Sequence, residues 1–224
     1  MSDPILFGAA YSVYVRIARL ALAEKGVAYR LVEIDIFAEG GRPADYAARQ
    51  PFGCIPAFEH DGFRLYETGA ITRYIEEAFA GPPLMPATPK GRARANQVMS
   101  VVDNYAYPAM VWGVFVEAVR APAQGRTGDA AKIAEALGKS QICLDALEAI
   151  AEPGGALLGG SISLADLYLA PVMRYFTMAG EGAALLIQRP RLARWWGWMQ
   201  QRPSMGWGWM QQRPSMAATK SPME

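Results

Sequence analysis

The stretch that decides the fold runs Gln50-Pro-Phe-Gly-Cys-Ile-Pro-Ala-Phe-Glu-His-Asp-Gly-Phe-Arg-Leu-Tyr-Glu-Thr-Gly-Ala-Ile-Thr-Arg-Tyr-Ile75. Asp61-Gly62 between two partly alternating apolar runs is the strongest short-range hairpin signal a sequence offers. The stretch therefore predicts a turn, a strand ending at Glu59, a second strand to Tyr66 and a helix starting at about Thr68. Two details exceed what a structural hairpin needs. Pro56 stands at the mouth of the first strand, where it cannot donate to a ladder. Glu67-Thr68 stand at the strand-to-helix turn, where the N–H groups of a helix N-terminus favour anions. A small substrate with a strand-like backbone and a carboxylate would dock here.

Upstream, Ile5-Leu6-Phe7 closed by Gly8 fits a short buried strand. Val13 to Lys25 are good helix formers, with Ser12 as N-cap and Gly26 as C-cap. Tyr29 to Ile36 is a second strand, so the first two strands form a parallel, right-handed β-α-β unit. Glu39-Gly-Gly-Arg-Pro43 is a loop and Ala44 to Arg49 a short helical turn; Gly69 to Phe79 closes the unit as a helix. Residues 1–80 thus read β-α-β-α-β-β-α, a mixed four-stranded sheet with helices on its faces.

Downstream, residues 81–90 carry four prolines in ten positions and form a semi-stiff linker. No alternating strand pattern returns after it, so residues 91–205 read as an all-helical domain. Its first helix, Gly91 to about Val119, meets Pro108, where a kink or break is expected. Asp129 to Ala151 is a second helix. Ser163-Leu-Ala-Asp166 is a capping box with Asp in place of the usual Glu, with Ile162 and Leu167 placed to staple it; it opens a helix to about Met178. Residues 206–224 form a tail in which Trp196–Met205 recurs letter for letter as Trp207–Met216. Pro203 ends the first copy's helix, and a local duplication is the preferred reading over a Trp207–Trp209 lid.

Bulk properties exclude several classes of function. Of 224 residues, 52% are hydrophobic and 19% charged, and the net charge of +1 offers no basic face for nucleic acid or anionic membrane. No run approaches the roughly 20 apolar residues of a membrane helix, and the N-terminus carries no secretory pattern. Two distant cysteines, Cys54 and Cys143, lack metal-ligand spacing and fit a reduced, cytoplasmic protein without a metal.

In order along the chain, these elements resemble a cytosolic glutathione transferase: a thioredoxin-like α/β domain, a Pro-rich linker and an all-α C-terminal domain. The resemblance extends to about Ser204. It rests on Pro51-Phe-Gly-Cys-Ile-Pro-Ala-Phe58, on Leu65-Tyr-Glu-Thr-Gly-Ala-Ile-Thr-Arg-Tyr-Ile75 and on Ser163–Asp166. Phe7-Gly-Ala-Ala-Tyr-Ser12 and Arg49-Gln-Pro-Phe-Gly53 are most similar to the serine-type phi group.

The resemblance implies a role for each position. Pro56 matches a cis-proline that exposes the backbone of Ile55 to the cysteinyl part of glutathione, and Glu67 and Thr68 match the pair that holds the γ-glutamyl group. Ser12 matches the serine that activates the thiol. A free thiol near pKa ~8.5 is only a few per cent ionised at neutral pH, and a hydroxyl donor at a helix N-terminus favours the thiolate. The thiol belongs to the cosubstrate, so no Ser-His-Asp set is needed, and with His60 as the single histidine none is available. Phe7 cannot supply a hydroxyl; Tyr11 is the alternative.

Two departures from the phi pattern stand out. Cys54 replaces a glutamine that contacts the tripeptide, and it reads as a buried thiol in preference to a site for mixed-disulfide formation. The loop before Pro43 lacks the usual His-Lys pair, which leaves Arg42 for the glycyl carboxylate. His60 reads as a solvated turn residue. Phe52 is either a key inserted into a partner subunit or a core residue, and Tyr105, Tyr107, Met110, Trp112 and Phe115 line an acceptor pocket or form core.

The implied protein is a homodimeric detoxification enzyme that attacks a small apolar electrophile with glutathione as cosubstrate and no permanently bound cofactor. The alternatives are a glutathione-dependent isomerase, peroxidase or dehalogenase on the same site, or a non-catalytic module that keeps the fold.

Overall fold

In the computed structural model, Asp61 and Gly62 both take positive φ (48° and 80°), the backbone of a two-residue type I′ hairpin. The structure describes residues 2–38 and 41–210, with side chains to Gly206. The hairpin joins β3 (Ala57–His60) to β4 (Phe63–Tyr66), pairing Ala57 with Tyr66 and His60 with Phe63. Antiparallel to β3 lies β1 (Ile5–Phe7), and β2 (Arg30–Val32) runs parallel to β1, giving the order β2-β1-β3-β4. The mixed four-stranded sheet is the one expected. The second strand is shorter than Tyr29–Ile36: only Arg30–Val32 have a ladder partner, because β1 itself is three residues long.

Helix α1 (Val13–Glu24) connects β1 to β2, and α2 (Thr68–Ala78) follows β4. Side chains alternate across the strands. Leu6 and its register partner Phe58 are buried, and Phe58 lies edge-on to Tyr74 of α2, so this pair forms the core under the helices with Ile17, Ile71 and Ile75. Each such fully buried side chain contributes about 1.5–3 kcal/mol. On the opposite face, Ile5, Phe7 and Val32 line a cavity of about 340 Å³ together with Tyr46, which belongs to a 3₁₀ turn spanning Ala44–Ala48.

His60 departs from expectation. It is 5% exposed, with Nδ1 2.9 Å from the Tyr74 hydroxyl and its ring 4.8 Å from that of Phe79. As the last residue of β3 it shares the helix-facing side with Phe58, enclosed by Tyr74 of α2 and Phe79 just beyond that helix.

The chain divides into two compact units: one runs to Leu84 and takes in residues from Pro203, the other runs from Met85 to Arg202. The second unit is helical. Its α3 (Pro89–Val101) is capped by Thr88, whose Oγ1 accepts from Gly91 N–H. Of the kink or break expected at Pro108, the break does not occur. The rod continues as a π-helix over Val102–Arg120 and ends in α4 (Ala121–Ala123); the wider turn carries the proline ring and its missing N–H without interruption.

Asp129 caps α5 (Ala130–Ile150) by accepting from Ala131 and Lys132 N–H. Helix α6 (Leu164–Phe176) is buried at every residue but Arg174 and is the centre of this unit. α7 (Gly180–Ile187) and α8 (Pro190–Gln200) follow; Glu148 of α5 caps α8 by accepting from Arg191 and Leu192 N–H. As expected, the chain breaks before Pro203, which opens α9 (Pro203–Met210) at a helix N-terminus that tolerates it. α9 belongs with the first unit, where Ser204 Oγ donates to Glu24. The sequence placed Pro203–Met205 with the helical domain, since their distance in sequence from α1 gives no sign of that contact. The proposed Trp207–Trp209 lid falls outside the described side chains. Among the described residues no helix is long and apolar enough to cross a membrane.

Candidate active site

Phe7 ends β1 opposite Val32 of β2 and Ala57 of β3, and Ala57 pairs with Tyr66 of β4. The segments 8–12, 33–38, 54–56 and 67–68 therefore all leave one end of the sheet. It is the carboxyl end of the parallel pair, where open α/β sheets bind ligands. Two helices, α1 and α2, begin at this same end, with no acidic side chain in the first turn of either. Their unsatisfied N–H groups give the region a positive partial charge.

Ser12 sits at the first of these helix ends. Its backbone is extended (φ −65°, ψ 132°) and its half-buried side chain caps α1, with Oγ accepting from Val15 N–H at 3.4 Å. The oxygen is used as an acceptor, so the hydroxyl proton is left to donate elsewhere.

The approach to Ser12 is tightly held. Gly8 has φ 152°, and a Cβ there would lie 2.4 Å from Val15 Cγ2 and 3.3 Å from Ile55 Cβ, so only glycine lets this loop close on Ile55. Ala10 N–H donates to Glu33, Arg16 Nε donates to Ala10 C=O, and the Tyr11 hydroxyl donates to Asp35. Tyr11, the alternative hydroxyl, is thus engaged with a carboxylate. Burial is the main cause that raises the Glu33 carboxyl above its ordinary value, with the Ala10 hydrogen bond opposing it.

The second segment carries Cys54, Ile55 and Pro56. The Ile55–Pro56 peptide bond is cis, Ile55 is 8% exposed, and it precedes the first paired residue of β3, Ala57. Cys54 is exposed, contrary to the buried thiol expected; Cys143 is the buried one. Its side chain turns outward because its peptide groups are taken inward: Cys54 N–H donates to Gln50 Oε1 and Cys54 C=O accepts from Tyr46 Oη at 2.9 Å. Arg42 comes to the same loop. A Cβ on Gly53 would fall 1.6 Å from the Arg42 guanidinium, so the cation lies directly over the residue before Cys54.

At the third segment Glu67 is exposed and holds φ 69° and ψ 118°, a sparsely populated backbone for a residue with a side chain. Its C=O begins α2 by accepting from Ile71 N–H, and Thr68, 6% exposed, is the first helical residue. Ser12, Cys54, Ile55, Pro56, Glu67 and Thr68 thus share one end of the sheet, with Arg42 against the middle segment. His60 lies at the opposite end of β3. In the other unit Met110 and Phe115 are core, while Tyr105 and Trp112 are exposed.

Sequence profiles of the glutathione S-transferase N-terminal and C-terminal domains match residues 6–83 and 130–200. Glutathione S-transferase F11 of Arabidopsis thaliana is 32% identical over 187 residues, 83% of this chain and 87% of its own length. The chain belongs to the glutathione S-transferase family. Solved members share the whole architecture of this glutathione S-transferase. Glutathione S-transferase III in its apo form superposes with a TM-score of 0.84 at 28% identity, over 95% of this chain and 99% of its own. Glutathione transferase F7 from Populus trichocarpa gives 0.80 at 30% identity, over 92% and 97%. The phi-like resemblance of the sequence agrees with these plant F-class relatives.

What the sequence did not disclose is the support beneath the site. Tyr46 and Gln50, each 1% exposed, hold the Cys54 backbone, and Glu33 and Asp35 hold the two residues before Ser12. Nothing in the spacing marks them. Only the alternate placement of Glu33 and Asp35 in an extended segment hints that both side chains point the same way.

Proposed function

We propose that this enzyme is a serine-type, phi-like glutathione transferase: it binds glutathione at the described sheet end and attacks a small apolar electrophile with the thiolate. The observation that carries this reading is the Ser12 side chain, which caps α1 through its oxygen at the end of the sheet shared by Ile55-Pro56 and Glu67-Thr68 and keeps its hydroxyl proton for another acceptor. Ile55 gives the cysteinyl part a backbone partner. Glu67 receives the γ-glutamyl amine, and Thr68, at the N-terminus of α2, receives its carboxylate. Arg42 takes the glycyl carboxylate. With the sulfur thus placed, the Ser12 hydroxyl donates to it and the positive end of α1 favours the thiolate; the thiol proton leaves to solvent. Carbon–sulfur bond formation then needs proximity to the electrophile more than further acid–base groups.

By the same reading, residues 1–80 form the glutathione-binding domain and the protein works as a cytoplasmic homodimer in detoxification, with Phe52, 72% exposed, as the side chain offered to a second copy. Retention on immobilised glutathione, followed by a chlorodinitrobenzene conjugation assay, tests the reading. Ser12→Ala is expected to keep the retention, lower kcat/KM by roughly ten- to a hundredfold and raise the pH midpoint of the rate by about one to two units. An unchanged midpoint removes Ser12 from the mechanism.

A further inference from the structure

The residue that precedes Ile55 is gripped from both sides by side chains that no contact with glutathione requires. Tyr46 is 1% exposed, and its ring lies under the sheet with Ile5, Phe7 and Val32. From there its hydroxyl reaches the Cys54 carbonyl at 2.9 Å. Gln50, equally buried, is fixed by its own N–H on Tyr46 C=O and accepts from Cys54 N–H at 3.3 Å.

We propose that Tyr46, assisted by Gln50, is a positioning residue for glutathione and acts through the peptide group that joins Cys54 to Ile55. That group is planar and trans, so its C=O and its N–H point in opposite directions along one fixed line. The N–H belongs to Ile55, the residue read above as the backbone partner of the cysteinyl part; the inference rests on that reading. Holding Cys54 C=O on the phenol sets the direction of Ile55 N–H. The same hydrogen bond polarises the peptide and strengthens that N–H as a donor. Gln50 fixes the peptide on the other side of Cys54, so the residue cannot rotate between its neighbours.

This arrangement has a particular value in this chain. Cys54 stands where a longer polar side chain could have contacted the tripeptide, and a thiol bonds poorly. Recognition at this point falls to the backbone, whose affinity depends on being pre-set in the bound geometry. The phenol is suited to holding a carbonyl. Burial pushes its pKa up to about 12, with a smaller contribution from nearby Cys54 in the same direction, so it stays a donor throughout the working range.

Tyr46→Phe keeps the ring and removes only the hydroxyl. The losses are read with S-methylglutathione, which binds without reacting, and by steady-state conjugation kinetics. Loss of one hydrogen bond is expected to raise the S-methylglutathione Kd and the glutathione KM by roughly five- to tenfold. kcat at saturating glutathione and the pH midpoint of the rate stay at wild-type values, since Ser12 and α1 are untouched. Gln50→Leu supplies the same comparison from the other peptide and stands in should Tyr46→Phe not fold; a KM raised by a smaller factor is expected. A merely structural role predicts a lower melting temperature with Kd and KM unchanged, and that result overturns the inference. So does a change in kcat or in the pH midpoint at constant KM. Wild-type protein that fails to bind S-methylglutathione refutes the proposed function itself, which separates the two failures.

Discussion

Cys54 shows how one exposed side chain can sit in a site that its backbone builds. Its peptide groups are satisfied by Tyr46 and Gln50, and its thiol faces solvent. The identity of the residue was legible as a departure from the phi pattern; its exposure was not, because burial follows from which neighbours claim the backbone. His60 is the converse. A polar residue next to Asp61-Gly62 reads as solvated, yet the alternation of β3 turns it under Tyr74 and Phe79. Ser12, Glu67 and Thr68 were legible because each stands at a helix start, where sequence and geometry are closely tied. Cys54→Gln restores an amide at the exposed position. It is expected to lower the glutathione KM by roughly three- to tenfold, the effect of one added hydrogen bond, with kcat unchanged. An unaltered KM in steady-state assays means that the position does not face the tripeptide.

Elements are held here by polar contacts that sequence patterns reveal only in part. The Ser163–Asp166 box was legible, and the structure bears it out: the Asp166 carboxylate accepts from Ser163 N–H and Oγ–H, both at 2.8 Å. The structure adds two donors from elsewhere, Leu157 N–H at 2.7 Å and the Trp195 indole at 2.9 Å. Asp166 is therefore the hub where the loop before α6, α6 itself and α8 meet. Burial pushes its carboxyl above the ordinary value while the four donors pull it back. The long-range pair escaped the sequence because a capping box explains Asp166 completely and leaves no residue asking for Trp195. The π-helix through Pro108 escaped for a different reason: propensity counts the proline as a breaker but says nothing of how a buried rod with tertiary partners accommodates it. Asp166→Ala leaves two backbone N–H groups and the indole N–H buried without an acceptor, a cost of about 3–5 kcal/mol. The melting temperature is expected to fall by about 10 °C, given some 2–4 °C per kcal/mol for a chain of this size. Ser163→Ala, which removes one donor, is expected to cost about 1 kcal/mol. Calorimetry on the pair checks the ratio; equal losses would make Asp166 an ordinary N-terminal cap.

At the scale of the whole molecule, the hairpin and the proline-rich stretch were enough to read a mixed sheet followed by helices. The return of α9 to α1 was not legible, since Ser204 and Glu24 are 180 residues apart and no periodic pattern links them. The proposed assembly with a second copy turns on Phe52. It is 72% exposed, with Tyr66 edge-on at 5.9 Å between ring centroids, and that exposure excludes the core-packing alternative left open by the sequence. A phenylalanine held outward on a turn loses apolar contact with water only if another chain covers it. Burial of one such side chain contributes about 1.5–3 kcal/mol, and a two-fold axis counts it twice. Phe52→Ser is therefore expected to weaken a dimer by about 3–6 kcal/mol, or roughly a hundred- to ten-thousandfold in dissociation constant. Sedimentation velocity at low micromolar concentration should show wild-type dimer and mutant monomer. Phe52 lies between Gln50 and Cys54, so the monomer should also bind S-methylglutathione more weakly, its loop no longer held by the partner. A wild-type chain that sediments as a monomer ends the dimer proposal. A Phe52→Ser dimer that persists with unchanged affinity moves the interface elsewhere on the surface.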